Sequence, residues 1–233
     1  MYELKHVTPE SEGIPSDAVV RFIDKVTEYR MNIHSFAFIR RGNVAAEAYA
    51  KPFFDENFNH RLYSCSKSFV SLAIGKLVRE NKVKLTDKIC SYFTEFVDEN
   101  TDEKVKETTI EDMLEMSVSP LTDSYALRPD LPWAESFFKV RGVKPSGTVF
   151  DYNSSGSFVL GALVEKLTGK TFIEYLRPEF DEIGVSGNIR CVTSPDGYAW
   201  GASGVICTLR DFAKVCLLVM NKGEHNGKRL LPS

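Results

Sequence analysis

Ser64 and Lys67 stand three residues apart in Tyr63-Ser64-Cys65-Ser66-Lys67-Ser68-Phe69. The stretch continues as Val70-Ser71-Leu72-Ala73-Ile74-Gly75-Lys76-Leu77-Val78, an amphipathic run that predicts a helix ending near Asn81. Residues three apart share a helix face, so hydroxyl and amine come within hydrogen-bonding reach. The first turn of a helix adds unpaired N–H groups and partial positive charge beside the serine oxygen. A weak nucleophile, an amine to take its proton and a field favouring the alkoxide together make an activated serine. The same tetrad also reads as an N-cap serine followed by a solvated lysine. A second match, Ser136-Phe137-Phe138-Lys139, shows that the spacing recurs by chance. It lies well inside an aromatic-rich helical run, away from any helix-terminal field. His6, His34, His60 and His225 lack a matching Ser/Asp pattern, which argues against a Ser-His-Asp triad.

The elements around the tetrad follow from the hydrophobic periodicity. Ser16 is expected to cap a first helix whose buried stripe is Val19, Val20, Phe22, Ile23 and Val26. Ser35 to Ile39 reads as a strand, Arg41-Gly42-Asn43 as a turn, and Val44 to Ala50 as the returning strand. Beyond Asn81 the signals are mostly helical. Thr109-Ile110-Glu111-Asp112, Thr171-Phe172-Ile173-Glu174 and Thr208-Leu209-Arg210-Asp211 resemble capping boxes. Leu131-Pro132-Trp133 opens a short helix through Phe138. Phe158, Val159, Leu160, Leu163, Val164 and Leu167 form a longer one stopped by Gly169. A glycine-rich stretch, Asp196 to Gly204, precedes a last helix that ends at Gly223.

The 233 residues suffice for a substantial core, and 43% hydrophobic with 26% charged residues is ordinary for a globular protein. A formal charge of −3 offers no electrostatic case for nucleic acid or an anionic membrane. Cys65, Cys90, Cys191, Cys207 and Cys216 form no C-x-x-C or Cys/His cluster, so no metal site is expected. Reduced thiols, the lack of an apolar signal core at the start and the lack of a long apolar run place the expected location in the cytoplasm.

Three landmarks, in order, resemble the serine β-lactamase and penicillin-binding-protein superfamily, in its class C-like branch of esterases, amidases and D-aminopeptidase-type hydrolases. They are the Tyr63–Phe69 stretch, Phe150-Asp151-Tyr152-Asn153-Ser154 with Leu160-Gly161 behind it, and Gly201-Ala202-Ser203-Gly204 through Lys214. Thr8-Pro9-Glu10-Ser11 with Gly13-Ile14 fits the family's opening. The resemblance implies an α+β fold of the β-lactamase/transpeptidase type, a helical lobe beside an antiparallel sheet with flanking helices. Residues 1–59 would form an α/β lobe with the first two strands, and residues 60–233 a mainly helical lobe. The family continues into a Lys/His/Trp-x-Gly strand that nothing before Ser233 supplies. The sheet is therefore expected to be incomplete in this chain, its C-terminal strands absent.

By resemblance, Ser64 attacks an ester or amide carbonyl and is acylated, with Lys67 and Tyr152 as the acid/base pair; which of the two is the base stays open. Tyr152 also reads as a half-buried aromatic ahead of a helix. The family's Tyr-x-Asn is here Tyr152-Asn153-Ser154, with Ser154 in the amide's place, a pattern that tilts toward esterases and amidases. Ser154 is either a helix N-cap or a polar cleft residue. Asn153 beside it and Trp200, as a wall of an acyl pocket or as ordinary packing, complete the substrate-side candidates. The implied function is a serine hydrolase of small esters or amides needing no cofactor, nucleic acid or membrane. The alternatives are a non-catalytic fragment or pseudoenzyme of the same fold, and a β-lactamase or D,D-peptidase.

Overall fold

The computed structural model of the protein describes residues 4–52, 54–119 and 123–232. Helix α1, Ser16–Glu28, lies against a hairpin of β1, Ser35–Arg40, and β2, Asn43–Tyr49. The hairpin turns on two residues, Arg41 at φ 51° and Gly42 at φ 82°, the left-handed pair that matches the natural strand twist. The register runs from Ser35 opposite Tyr49 to Arg40 opposite Asn43, with an irregularity between Phe38 and Ile39. Phe22 of α1 sets its ring edge-on to Phe36 and Phe38. The expected buried stripe is only half realised, because no residue of α1 is buried and Val20 remains 54% exposed. A two-stranded hairpin is too narrow to cover a whole helix face. The helix cap also differs from expectation. Pro15 occupies the N-cap position and Ser16 is the first helical residue, its amide donating to Glu10 Oε1 at 2.9 Å.

After β3, His60–Arg61, the chain makes a short 3₁₀ turn, Tyr63–Cys65, and enters α2, Ser66–Arg79. Short helices follow: α3, Glu103–Lys106; α4, Ile110–Leu114; α5, Ser124–Leu127; and α6, Trp133–Phe138. Helix α7, Ser154–Thr168, ends at Gly169 in the left-handed conformation, and α8, Phe172–Tyr175, and α9, Arg177–Glu182, succeed it. Strands β4, Arg190–Cys191, and β5, Val205–Cys207, lead to α10, Leu209–Met220, and to a small hairpin of β6, Glu224–His225, and β7, Lys228–Arg229. Capping boxes form at Thr109 with Asp112 and at Thr171 with Glu174. At α10 only half the box forms. Thr208 accepts the Asp211 N–H, while the Asp211 carboxylate turns to the amide and hydroxyl of Ser186.

The core lies between α2 and α7. Phe69, Val70, Ala73, Ile74 and Leu77 of α2 are buried against α7, which is buried continuously from Ser155 to Val164. A helix enclosed on every side carries little amphipathic signal, and α7 is apolar nearly all round. The three short strands stand in the order β3-β5-β4, all antiparallel, with His60 opposite Cys207 and Cys191 opposite Val205. This pairing brings the start of α2 beside a segment some 140 residues later in the chain. Helix α10 packs back onto the first hairpin, where Ala213 joins Leu4 and Val44 in a smaller cluster. Among the described residues no helix is long and apolar enough to cross a membrane.

Candidate active site

Strand β3 delivers the nucleophile candidate to its place. The ladder continues past Arg61, with the Leu62 N–H donating to Val205 O at 2.8 Å. Tyr63 then takes φ 48°, a left-handed conformation unusual for a bulky residue and of the kind that accumulates at functional turns. Ser64 follows, exposed, one turn ahead of α2. Ser66 fixes the helix start from beneath, its Oγ accepting the Val205 N–H at 3.0 Å. Lys67, half-buried on the next turn, donates to Ser64 Oγ at 3.3 Å and to the Ala202 carbonyl at 2.7 Å. The i, i+3 spacing thus brings amine and hydroxyl together, and a backbone oxygen of the glycine-rich turn holds the amine in place.

Tyr152 reaches the pair from the stretch before α7. Lys67 Nζ lies 4.9 Å from the centroid of its ring, and the phenol is 51% exposed. Desolvation pushes the phenol up, but hydrogen bonding with Ser64 and Lys67 and the positive charge of Lys67 outweigh it. The balance leaves Tyr152 below the ordinary phenol range, so its anion is favoured there.

The substrate-side candidates divide. Asn153 is 1% exposed and caps α7, its Oδ1 accepting the Gly156 N–H at 2.9 Å. The cap that the sequence offered to Ser154 is therefore made one residue earlier. Ser154 is the first residue of α7, half-buried, with its amide donating to Asp123 Oδ1 at 2.5 Å. Trp200 packs edge-on to Trp133 with ring centroids 5.3 Å apart, and its indole N–H is buried without a partner. The Arg61 guanidinium sits 4.8 Å over the Trp200 ring and 4.8 Å over Tyr63, while its Nε donates to Ser203 O at 3.1 Å. Ser136 goes elsewhere: it is fully buried, donating to Trp133 O at 2.7 Å and lying 2.9 Å from Ser124 Oγ. Its tetrad partner Lys139 pairs with Asp98 at 2.6 Å.

Several groups here escaped the reading of the sequence. The Ala202 carbonyl leaves no side-chain signature, although the glycine-rich turn carrying it is plain. Arg61 precedes the tetrad and Ser66 lies within it, but their partners, Ser203 and Val205, stand some 140 residues later in the chain. Asp123 has no motif around it. Among the described residues no group of three or more His, Cys, Asp and Glu gathers to hold a metal.

Comparison with known proteins bears on the family and the fold. The family model described as Beta-lactamase matches residues 19–232. A curated relative, 6-aminohexanoate-dimer hydrolase of Paenarthrobacter ureafaciens, is 22% identical over 249 residues, which cover 97% of this chain and 63% of the relative. A provisionally named 6-aminohexanoate-dimer hydrolase from Bacillus anthracis superposes with a TM-score of 0.75 at 24% identity, over 89% of this chain and 59% of its own. An octameric penicillin-binding protein homologue from Pyrococcus abyssi gives 0.70 at 18% identity, over 94% of this chain and 58% of that one. EstCE1, a hydrolase with promiscuous acyltransferase activity, gives 0.70 at 14% identity, over 93% of this chain and 75% of its own. The chain thus spans about three fifths of the length of the curated relative and of the first two of these structures, and the structural likeness is one of fold.

Proposed function

The chain belongs to the beta-lactamase family and has that family's α+β fold, and from that premise we propose that it is a serine hydrolase of small esters or amides. Ser64 is the nucleophile, and Lys67 and Tyr152 form one proton-transfer unit. The observation that carries the proposal is the position of Lys67 Nζ, within hydrogen-bond distance of Ser64 Oγ and 4.9 Å from the Tyr152 ring. In this reading Tyr152, its phenol lowered by Ser64 and Lys67, takes the serine proton, and the Lys67 amine 4.9 Å from its ring supports the anion.

In the first half-reaction the Ser64 oxygen bonds to the substrate carbonyl carbon as its proton passes to the Tyr152 phenolate. The tetrahedral intermediate expels the amine or alkoxide, which takes the proton back from Tyr152, and an ester on Ser64 remains. In the second half-reaction water adds to that ester, giving its proton to Tyr152, and the carboxylic acid leaves as Ser64 regains its hydrogen. The lobes expected from the sequence, 1–59 and 60–233, belong to this proposal, with the start of α2 at their junction. Ser154 and Trp200 serve as substrate contacts in this proposal, and Asn153 supports them as the cap of α7. The five free cysteines suit a reducing cytoplasm.

The 6-aminohexanoate dimer in the curated relative's name is the first amide to assay, alongside activated esters. A fluorophosphonate, which traps activated serines, tests the assignment directly. Peptide mapping is expected to find the adduct on Ser64, and Ser64→Ala is expected to abolish it. An adduct on Ser136, or labelling undiminished in Ser64→Ala, overturns the proposal.

A further inference from the structure

Asp123 stands immediately before α5. Its Oδ1 accepts the Ser154 N–H at 2.5 Å and the Ser155 N–H at 3.2 Å, while Oδ2 accepts the Tyr125 hydroxyl at 3.2 Å. Asn153 takes the next amide, that of Gly156. Two side chains therefore satisfy the first three N–H groups of a 15-residue helix. A carboxylate is the stronger of the two, because the helix field favours negative charge at this end. Tyr152 lies two residues ahead of the amide that Asp123 grips. The titratable and charged groups facing its phenol are Lys67 from α2, Asp123 from the segment before α5, and Tyr125 from α5 itself.

We propose that Asp123 is a positioning residue for acyl transfer: it fixes the first turn of α7, holds the Tyr152 phenol at the Ser64–Lys67 pair, and sets its charge against that of Lys67 at the phenol. This rests on the hydrolase reading above. A phenol that must both accept and return a proton is served by two opposed influences. Lys67 draws the anion out, and Asp123 resists, so the phenol is kept basic enough to take the serine proton. Burial and the Asp123 charge push the phenol up, while Ser64 and Lys67 bring it down. Removing the Asp123 charge removes one of the upward influences, so the phenol ionises at lower pH.

The test compares wild type, Asp123→Asn and Asp123→Ala in the whole chain, following against pH the rate at which a fluorophosphonate phosphonylates Ser64 with loss of fluoride. Asp123→Asn keeps an oxygen for the two amides and loses the charge. Its maximal rate is expected within about threefold of wild type, with the midpoint of the rise displaced to lower pH. Asp123→Ala loses the oxygen as well: its midpoint is expected to move the same way, and its maximal rate to fall about five- to tenfold, the size of a lost helix cap. An ultraviolet difference titration against Tyr152→Phe reads the same phenol without any turnover, and in Asp123→Asn it is expected to move the same way. An unmoved titration in Asp123→Asn, or Asp123→Ala labelling at the wild-type maximal rate, overturns the proposal. A wild-type protein that does not label at Ser64 removes the hydrolase reading instead, and the titration still decides whether Asp123 governs the phenol.

Discussion

Gly201→Ala adds a single methyl group at the tightest point beneath the site. A Cβ at Gly201 would lie under 3.0 Å from Val70 Cγ2, a separation that Cβ atoms essentially never show. Phe172 Cε1 at 3.4 Å and the Ser157 carbonyl at 3.5 Å close the other sides. Val70 is 1% exposed, and a β-branched side chain inside a helix has one favoured rotamer, so it cannot swing aside. The glycine-rich turn must lift instead, and overpacking of this kind costs about 1–3 kcal/mol of stability. The next residue in that turn is Ala202, whose carbonyl holds Lys67 Nζ at 2.7 Å. Loss of a hydrogen bond to a charged group is worth about 1.5–3 kcal/mol, so Ser64 acylation should slow by about 10- to 100-fold. Urea denaturation gives the first quantity and the fluorophosphonate labelling rate gives the second. Val70→Ala supplies the control. Alone it leaves a cavity and costs about 1–3 kcal/mol, but in the double variant the new methyl fills that space. The double variant should be more stable than the sum of the singles by at least about 1 kcal/mol, with labelling largely restored. Simple additivity, or a Gly201→Ala protein within about 0.5 kcal/mol of wild type, would refute the close approach of turn and helix.

Lys67→Met and Tyr152→Phe should each slow acylation by at least about 100-fold, and the double variant should lose far less than the product of the two, as for residues acting as a unit. Because the Tyr152 phenol is lowered, acylation should rise as pH increases through a midpoint below the ordinary phenol range, and Tyr152→Phe should abolish that limb of the stopped-flow pH profile. Lys76, 6% exposed, meets Glu179, 7% exposed, at 2.7 Å beneath α2; Lys76→Met should destabilise the fold by about 3–5 kcal/mol in urea, and Lys76→Met with Glu179→Leu by clearly less. Asn153→Ala removes the α7 cap and should cost about 1 kcal/mol, read as a lowered thermal midpoint.

What the sequence discloses about this chain is what depends on neighbours within one turn. The boxes at Thr109 and Thr171 close over three residues, Arg41-Gly42 sets its own hairpin, and Gly169 ends α7 by its own conformation. The Asn226-Gly227 hairpin was equally local, with both residues at positive φ, and the sequence reading passed over it by ending the last helix at Gly223. Strands β3, β4 and β5 were not legible, because two or three residues carry no alternation and their pairing joins Arg61 to Ile206. At the amino end, a serine before an apolar stripe suggested a cap. Pro15 and the Glu10 carboxylate took that place, since a carboxylate six residues away can reach the same amide.

The same division between local and remote explains how the site depends on the fold. Ser64 and Lys67 occupy consecutive turns of one segment, and that spacing alone would bring them near each other in an isolated helix. An isolated helix of α2's 14 residues is marginal in water, however, and a free lysine side chain samples many rotamers. What singles out one rotamer is the Ala202 carbonyl, and what adds the phenol is the α7 turn gripped by Asp123 and Asn153. The contacts that, in the proposed mechanism, would make this common tetrad an activated serine are therefore long-range ones, formed only when the core between α2 and α7 has closed. The second tetrad makes the converse case. Ser136 and Lys139 have the same spacing, but the fold gives the hydroxyl to Trp133 and Ser124 and the amine to Asp98. Identical spacing thus ends in a buried structural serine at one place and in an exposed, lysine-bonded serine at the other, because the partners are those that tertiary packing brings in.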